Sequence, residues 1–150
     1  MTGDAREVAA ENALRKATAA RAGSGELVLG VDTVVSLPGR LFGKPRDAAD
    51  ARATLASLSG RAHEVVSGLA LLGDDRREVV TVVTEVTFRA LGDSLLNWYL
   101  ATDEWRGRAG GYAIQGAGTA LVTRVVGDYE NVVGLPLGTL VDLCPELLGG

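Results

Sequence analysis

Residues 62–88 constrain the fold more than any other stretch. Two strand-forming runs, at 62–72 and 78–88, flank Gly73-Asp74-Asp75-Arg76, a segment with hairpin-turn chemistry. The return run alternates, with Val80, Val82, Val86 and Phe88 on one face and Thr81, Glu85 and Thr87 on the other. An antiparallel pair of this length must be covered on its apolar face, and the rest of the chain offers helices to do it. Residues 4–22 are Ala-rich, with Asp4 and Glu7 in capping-box spacing and Gly23 as a left-handed stop. Asp47 opens a second helix that runs to Leu58 and is closed by Gly60, and Asp93 or Ser94 opens a third carrying Leu95, Leu96, Trp98, Tyr99 and Leu100. Between the first two helices, residues 27–35 form an apolar, β-branched run that reads as a strand buried on both faces, and Pro38-Gly39 is a turn. A glycine-rich stretch at 107–118 precedes a strand at 120–126. A last helix then places Leu137, Leu140, Val141 and Cys144 at helical spacing before Pro145 bends or ends it. Helices mixed with at least one hairpin predict one α/β domain with a mixed sheet.

Composition narrows the partners. The chain has 150 residues, 15 basic and 19 acidic, for a net charge of −4. That acidic balance argues against a nucleic-acid backbone as the main partner. No apolar run approaches the roughly 20 residues of a membrane span. The N-terminus shows no basic start followed by an apolar core, so the expected location is cytoplasmic. A single cysteine excludes an intrachain disulfide and any multi-cysteine zinc site. The basic residues are 13 Arg and only 2 Lys, Lys16 and Lys44, so each lysine is either a chance survivor or is kept for its compact charge.

Asp32 is the most conspicuous single residue, because a carboxylate inside an apolar strand is costly unless it is paired, solvated or metal-bound. It either caps a loop at the strand end or serves as a base or metal ligand in a crevice at the sheet edge. Gly39 to Pro45 is not a Walker loop: only three residues lie between its glycines where four are needed, and Lys44 is followed by Pro45 instead of a hydroxyl residue. Gly43-Lys44-Pro45 still sets a point charge on a tight turn, suited to a phosphate or to solvent. His63, the only histidine, has no Gly-x-Ser-x-Gly elbow to serve and reads as structural, bonded to backbone. Cys144 reads as a small buried hydrophobe. In the glycine-rich stretch, Tyr112, Gln115 and the loop glycines either let a flat ligand approach backbone or form a crossover.

Five segments in combination resemble the Maf family. They are Gly30-Val31-Asp32-Thr33-Val34-Val35, Gly43-Lys44-Pro45, Leu58-Ser59-Gly60-Arg61 with His63-Glu64-Val65, Ala109 to Gly116, and Gly127-Asp128-Tyr129 with Asn131 to Pro136. The resemblance implies an elongated mixed sheet flanked by helices, two lobes around a cleft, similar to the inosine triphosphate pyrophosphatases. It implies a nucleoside triphosphate pyrophosphatase of the dTTP/UTP branch, working with a divalent cation (Mg²⁺ or Mn²⁺) and often dimeric. Asp32 matches the family's proton acceptor and a metal ligand, Lys44 matches a phosphate-contacting lysine, and Lys16 looks like the family's other active-site lysine, both in substrate-binding positions. Thr33 and Gln115 match specificity positions, and Glu104, near the glycine-rich stretch, is a further candidate for metal or substrate. The family also opens with a strand and a Ser-x-Ser-Pro-Arg-Arg loop that this sequence does not contain. The expected consequence is weaker triphosphate binding, a bared sheet edge that favours self-association, or a nucleotide-binding or division-related protein without catalysis.

Overall fold

The computed structural model describes residues 4–21, 23, 25–133 and 135–148. Helix α1 (Ala5–Ala20) starts at Asp4, whose carboxylate accepts from the Arg6 amide at 2.8 Å. It ends at Arg21, and the left-handed turn falls at Gly25 instead of Gly23. Residue 22, the end expected from sequence, lies outside the described residues. Strands β1 (Val28–Leu37) and β2 (Arg40–Phe42) are joined through Pro38-Gly39, with Gly39 at φ 74°. Helix α2 (Ala48–Leu58) has Asp47 as its N-cap, accepting from the Asp50 amide at 2.8 Å. Strands β3 (Ala62–Leu72) and β4 (Arg77–Phe88) form the long hairpin expected from sequence. Helix α3 (Asp93–Ala101) follows, with Gly92 at the N-cap position, so neither Asp93 nor Ser94 caps it.

The glycine-rich stretch becomes two short 3-10 segments, Ala109–Gly111 and Gly116–Leu121, ahead of strand β5 (Val122–Val126). The segment expected to hold one last helix contains two, α4 (Tyr129–Val133) and α5 (Leu137–Leu143), and Pro145 opens a further 3-10 turn.

The sheet order is β2-β1-β3-β4-β5. Helices flank it as expected for an α/β fold, but all four strand pairs are antiparallel where a mixed sheet was expected. The reason lies in the connections. β1–β2 and β3–β4 are hairpins, and every longer excursion returns its strand in the opposite direction beside its neighbour.

The two faces are packed differently. On one, α1 presents Ala9, Ala13 and Ala17 to Val34, Val66 and Ala70, all buried. Helix and sheet approach closely because the strands carry glycine where the helix crosses. A Cβ on Gly30 would stand 2.1 Å from the Ala13 carbonyl oxygen, and one on Gly68 would stand 2.3 Å from that of Ala9. On the other face Val35, Leu37, Val65, Val86 and Phe88 join Leu55 and Leu58 of α2, Leu96 and Tyr99 of α3, and Tyr112, Ile114 and Leu121 in the main core. Cys144 is buried as a free thiol. Thr84 interrupts the apolar face of β4, where its hydroxyl donates to the Asp128 carbonyl at 2.7 Å and accepts from the Asn131 amide at 3.2 Å.

Candidate active site

The longest partly covered run of β1 lies at the candidate site. Gly30, Val34, Val35 and Leu37 are buried, whereas Val31, Asp32 and Thr33 are only partly covered. Those three residues wall a cavity of about 310 Å³. The pleat sends Asp32 to the α1 side and Thr33 to the other. On the α1 side, Lys16 Nζ lies 2.7 Å from Asp32 Oδ1, and Asn12 Nδ2 donates to Asp32 Oδ2 at 3.0 Å. Asn12 and Lys16 stand one helical turn apart, so a single face of α1 addresses both carboxylate oxygens. Lys16 also donates to the Val31 carbonyl at 3.3 Å. The Asp32 side chain is 16% exposed, so the paired carboxylate still meets solvent. On the other side, Thr33 Oγ1 and Ser67 Oγ share a hydrogen bond of 2.9 Å across the β1–β3 ladder.

Lys44 reaches the same cavity from the loop after β2, and Gly107, Arg108, Ala109, Tyr112 and Ala113 face it from the glycine-rich stretch. These two walls are tied together where Gly110 N–H donates to the Gly43 carbonyl at 3.1 Å. Gly110 sits at φ 75°, and a Cβ there would stand 2.7 Å from Val35 Cγ2, so both its conformation and its packing require glycine. Among the described residues, the side chains of Lys44, Arg108 and Gln115 make no hydrogen bond or ion pair.

Of the sequence candidates, the structure brings Lys16, Asp32, Thr33 and Lys44 to one cavity. Gln115 and Glu104 lie in the adjoining one, of about 390 Å³, which shares Arg108, Ala113 and Val133 with the first. Glu104 is spent on structure: its two oxygens accept from the Ala117 and Gly118 amides at 3.1 and 3.3 Å, pinning the turn that follows Gln115. His63 is buried, but its partner is a side chain and not backbone. Its Nε2 lies 2.7 Å from the Tyr112 hydroxyl, and its Nδ1 has no partner. Burial holds its pKa down near 4, so the ring is neutral, and burial pushes the Tyr112 phenol well above its ordinary value. Tyr99, whose hydroxyl accepts from the Ala113 amide at 2.9 Å, is likewise pushed up to about 12, chiefly by burial.

Sequence reasoning missed Asn12 and Arg108. The signal for Asn12 was its i, i+4 spacing to Lys16; for Arg108 it was a cation set inside a glycine-rich stretch.

The Maf-like protein family model matches residues 2–147. The chain belongs to the Maf family. Among curated Maf relatives, it is 46% identical over 118 residues to a dTTP/UTP pyrophosphatase of Pyrococcus furiosus, covering 79% of this chain and 62% of that protein. It is 41% identical over 141 residues to the enzyme of the same name from Pyrococcus horikoshii, covering 93% and 76%. It is 51% identical over 129 residues to the one from Anaeromyxobacter sp. (strain Fw109-5), covering 83% and 63%. The chain thus spans between 62% and 76% of the length of these three Maf relatives. Among the described residues, no helix is long and apolar enough to cross a membrane.

Proposed function

We propose that this Maf protein hydrolyses nucleoside triphosphates, with dTTP and UTP as preferred substrates, to the monophosphate and pyrophosphate. The observation that carries the proposal is the meeting of Asp32, Lys16 and Lys44 on one cavity, in a chain 41–51% identical to proteins named dTTP/UTP pyrophosphatase. Phosphoryl transfer asks little covalent chemistry of a protein and much positioning and charge stabilisation. Lys44, free of any acidic partner, is available to the polyphosphate. Asp32, oriented by Lys16 and Asn12, accepts a proton from the attacking water. That water forms the new bond to the α-phosphorus, the bond to the bridging oxygen breaks, and pyrophosphate leaves with the electron pair.

Among the described residues, no group of three or more His, Cys, Asp or Glu side chains forms a metal cage. A cavity with a single carboxylate suits Mg²⁺ or Mn²⁺ held largely by substrate oxygens, which is how Mg²⁺ is commonly bound in phosphate-transfer sites. Asp32 is the residue that would face it, and the cation would supply neutralisation of phosphate charge. Glu104 enters this reading as an anchor of the Gln115 turn. The Gln115 amide offers one acceptor and one donor group. The uracil or thymine edge presents a carbonyl acceptor beside an N–H donor and so complements it; cytosine reverses the pattern.

The test is pyrophosphate release from dTTP, UTP, CTP and ATP with Mg²⁺ or Mn²⁺. We expect dTTP and UTP to lead, and Asp32→Asn to lose roughly 10²-fold or more in kcat with little change in KM. Absence of dTTP and UTP turnover, or an Asp32→Asn variant as active as the parent, would overturn the proposal.

A further inference from the structure

The charge on the main cavity does not match the job of holding a triphosphate if the two lysines act alone. Lys16 is committed to Asp32 at 2.7 Å, and together they contribute no net charge. Lys44 alone would then face a ligand that carries three to four negative charges. One further cation lines the cavity, Arg108, whose side chain makes no hydrogen bond or ion pair among the described residues. It is also the one charged residue shared between this cavity and the neighbouring one that holds Gln115. Its backbone is extended, between the left-handed Gly107 at φ 69° and the 3-10 turn at Ala109–Gly111. The Gly110–Gly43 hydrogen bond fixes that turn against the loop carrying Lys44. Two unpaired cations thus stand on two loops locked to each other, one on the main cavity and one at the seam between cavities.

Resting on the pyrophosphatase reading, we propose that Arg108 is a substrate-contacting residue that grips the phosphate joining the polyphosphate to the nucleoside. A triphosphate in the first cavity with its base in the second must pass the seam at its α-phosphate. A guanidinium offers a planar fork that binds two phosphate oxygens at once, which an ammonium does not. Because the α-phosphorus is the centre attacked, this contact strengthens as charge builds on its oxygens, and Arg108 acts on kcat as well as on KM.

The experiment compares the protein with Arg108→Gln and Arg108→Lys in two measurements. The first is calorimetric titration with inorganic triphosphate, which needs no turnover; the second is steady-state hydrolysis of dTTP. Arg108→Gln is expected to weaken triphosphate binding and to lower kcat/KM for dTTP, each by roughly tenfold or more. Arg108→Lys is expected to recover part of the binding and little of the kcat. The side chain is exposed and unpartnered, so an unchanged melting temperature separates this loss from misfolding. Triphosphate affinity in Arg108→Gln equal to that of the parent overturns the inference. A parent that binds triphosphate through Arg108 but hydrolyses neither dTTP nor UTP overturns the pyrophosphatase reading and leaves the anion contact standing.

Discussion

His63 shows how a single buried ring couples the site wall to pH. Its pKa is held near 4 in the folded protein by burial, against about 6.5 for an exposed imidazole. Between those values the unfolded chain binds more protons than the folded one, so stability rises with pH across the window and falls as pH drops from about 6.5 to about 4. The full loss from this group is on the order of 3 kcal/mol. Chemical denaturation at pH 7 and pH 4.5 should show that component in the parent and not in His63→Leu; equal pH slopes in both proteins would refute it. Tyr112→Phe removes the hydroxyl partner of Nε2, leaves the imidazole unsatisfied at both nitrogens, and should cost about 1–3 kcal/mol by thermal or denaturant melts. At this scale the sequence was readable where a residue contradicted its surroundings. Asp32 stood out because a carboxylate in an apolar strand needs a partner, and Lys16 and Lys44 stood out because lysine is rare here. Asn12 and Arg108 gave no such contrast: an amide on a polar helix face and one arginine among 13 look like solvent-facing residues.

Among the elements, α1 carries the tightest geometric requirement. Its alanines rest on strands stripped of side chains at Gly30 and Gly68. Gly30→Ala must push the helix outward, and overpacking of this kind costs about 1–3 kcal/mol. The same displacement moves Lys16 and Asn12 away from Asp32. We therefore expect Gly30→Ala to lower both the melting temperature and kcat, whereas Gly23→Ala, with open space around it, should leave both within error. The β3–β4 hairpin, α1 and α2 were legible in outline because their periods run for ten residues or more and their ends carry Asp or Gly signals. Residues 107–121 and 129–133 were not. Their local structure is set by left-handed glycines at 107, 110, 111 and 116 and by a five-residue α4, too short to display a helical period.

For the molecule as a whole, β3 is the centre of the sheet, paired along its length with β1 on one side and β4 on the other. Hydrogen exchange should find the slowest amides in residues 65–71, with β5 and the outer edge of β1 opening sooner; faster exchange in β3 than in β5 would refute this layout. Strand direction was the part of the architecture that residue pattern did not reveal. Alternation reports which face a residue takes but is indifferent to the sense of its neighbour, and only the connections decide that. Another consequence follows from the bond between Gly110 and Gly43. Gly43 is synthesised well before Gly110. A nascent chain already holds the acid and both lysines long before anything braces the loop that carries Lys44. The pocket therefore assembles only once Gly110 has left the ribosome, and a nascent chain short of it holds the chemical groups without the frame that aims them.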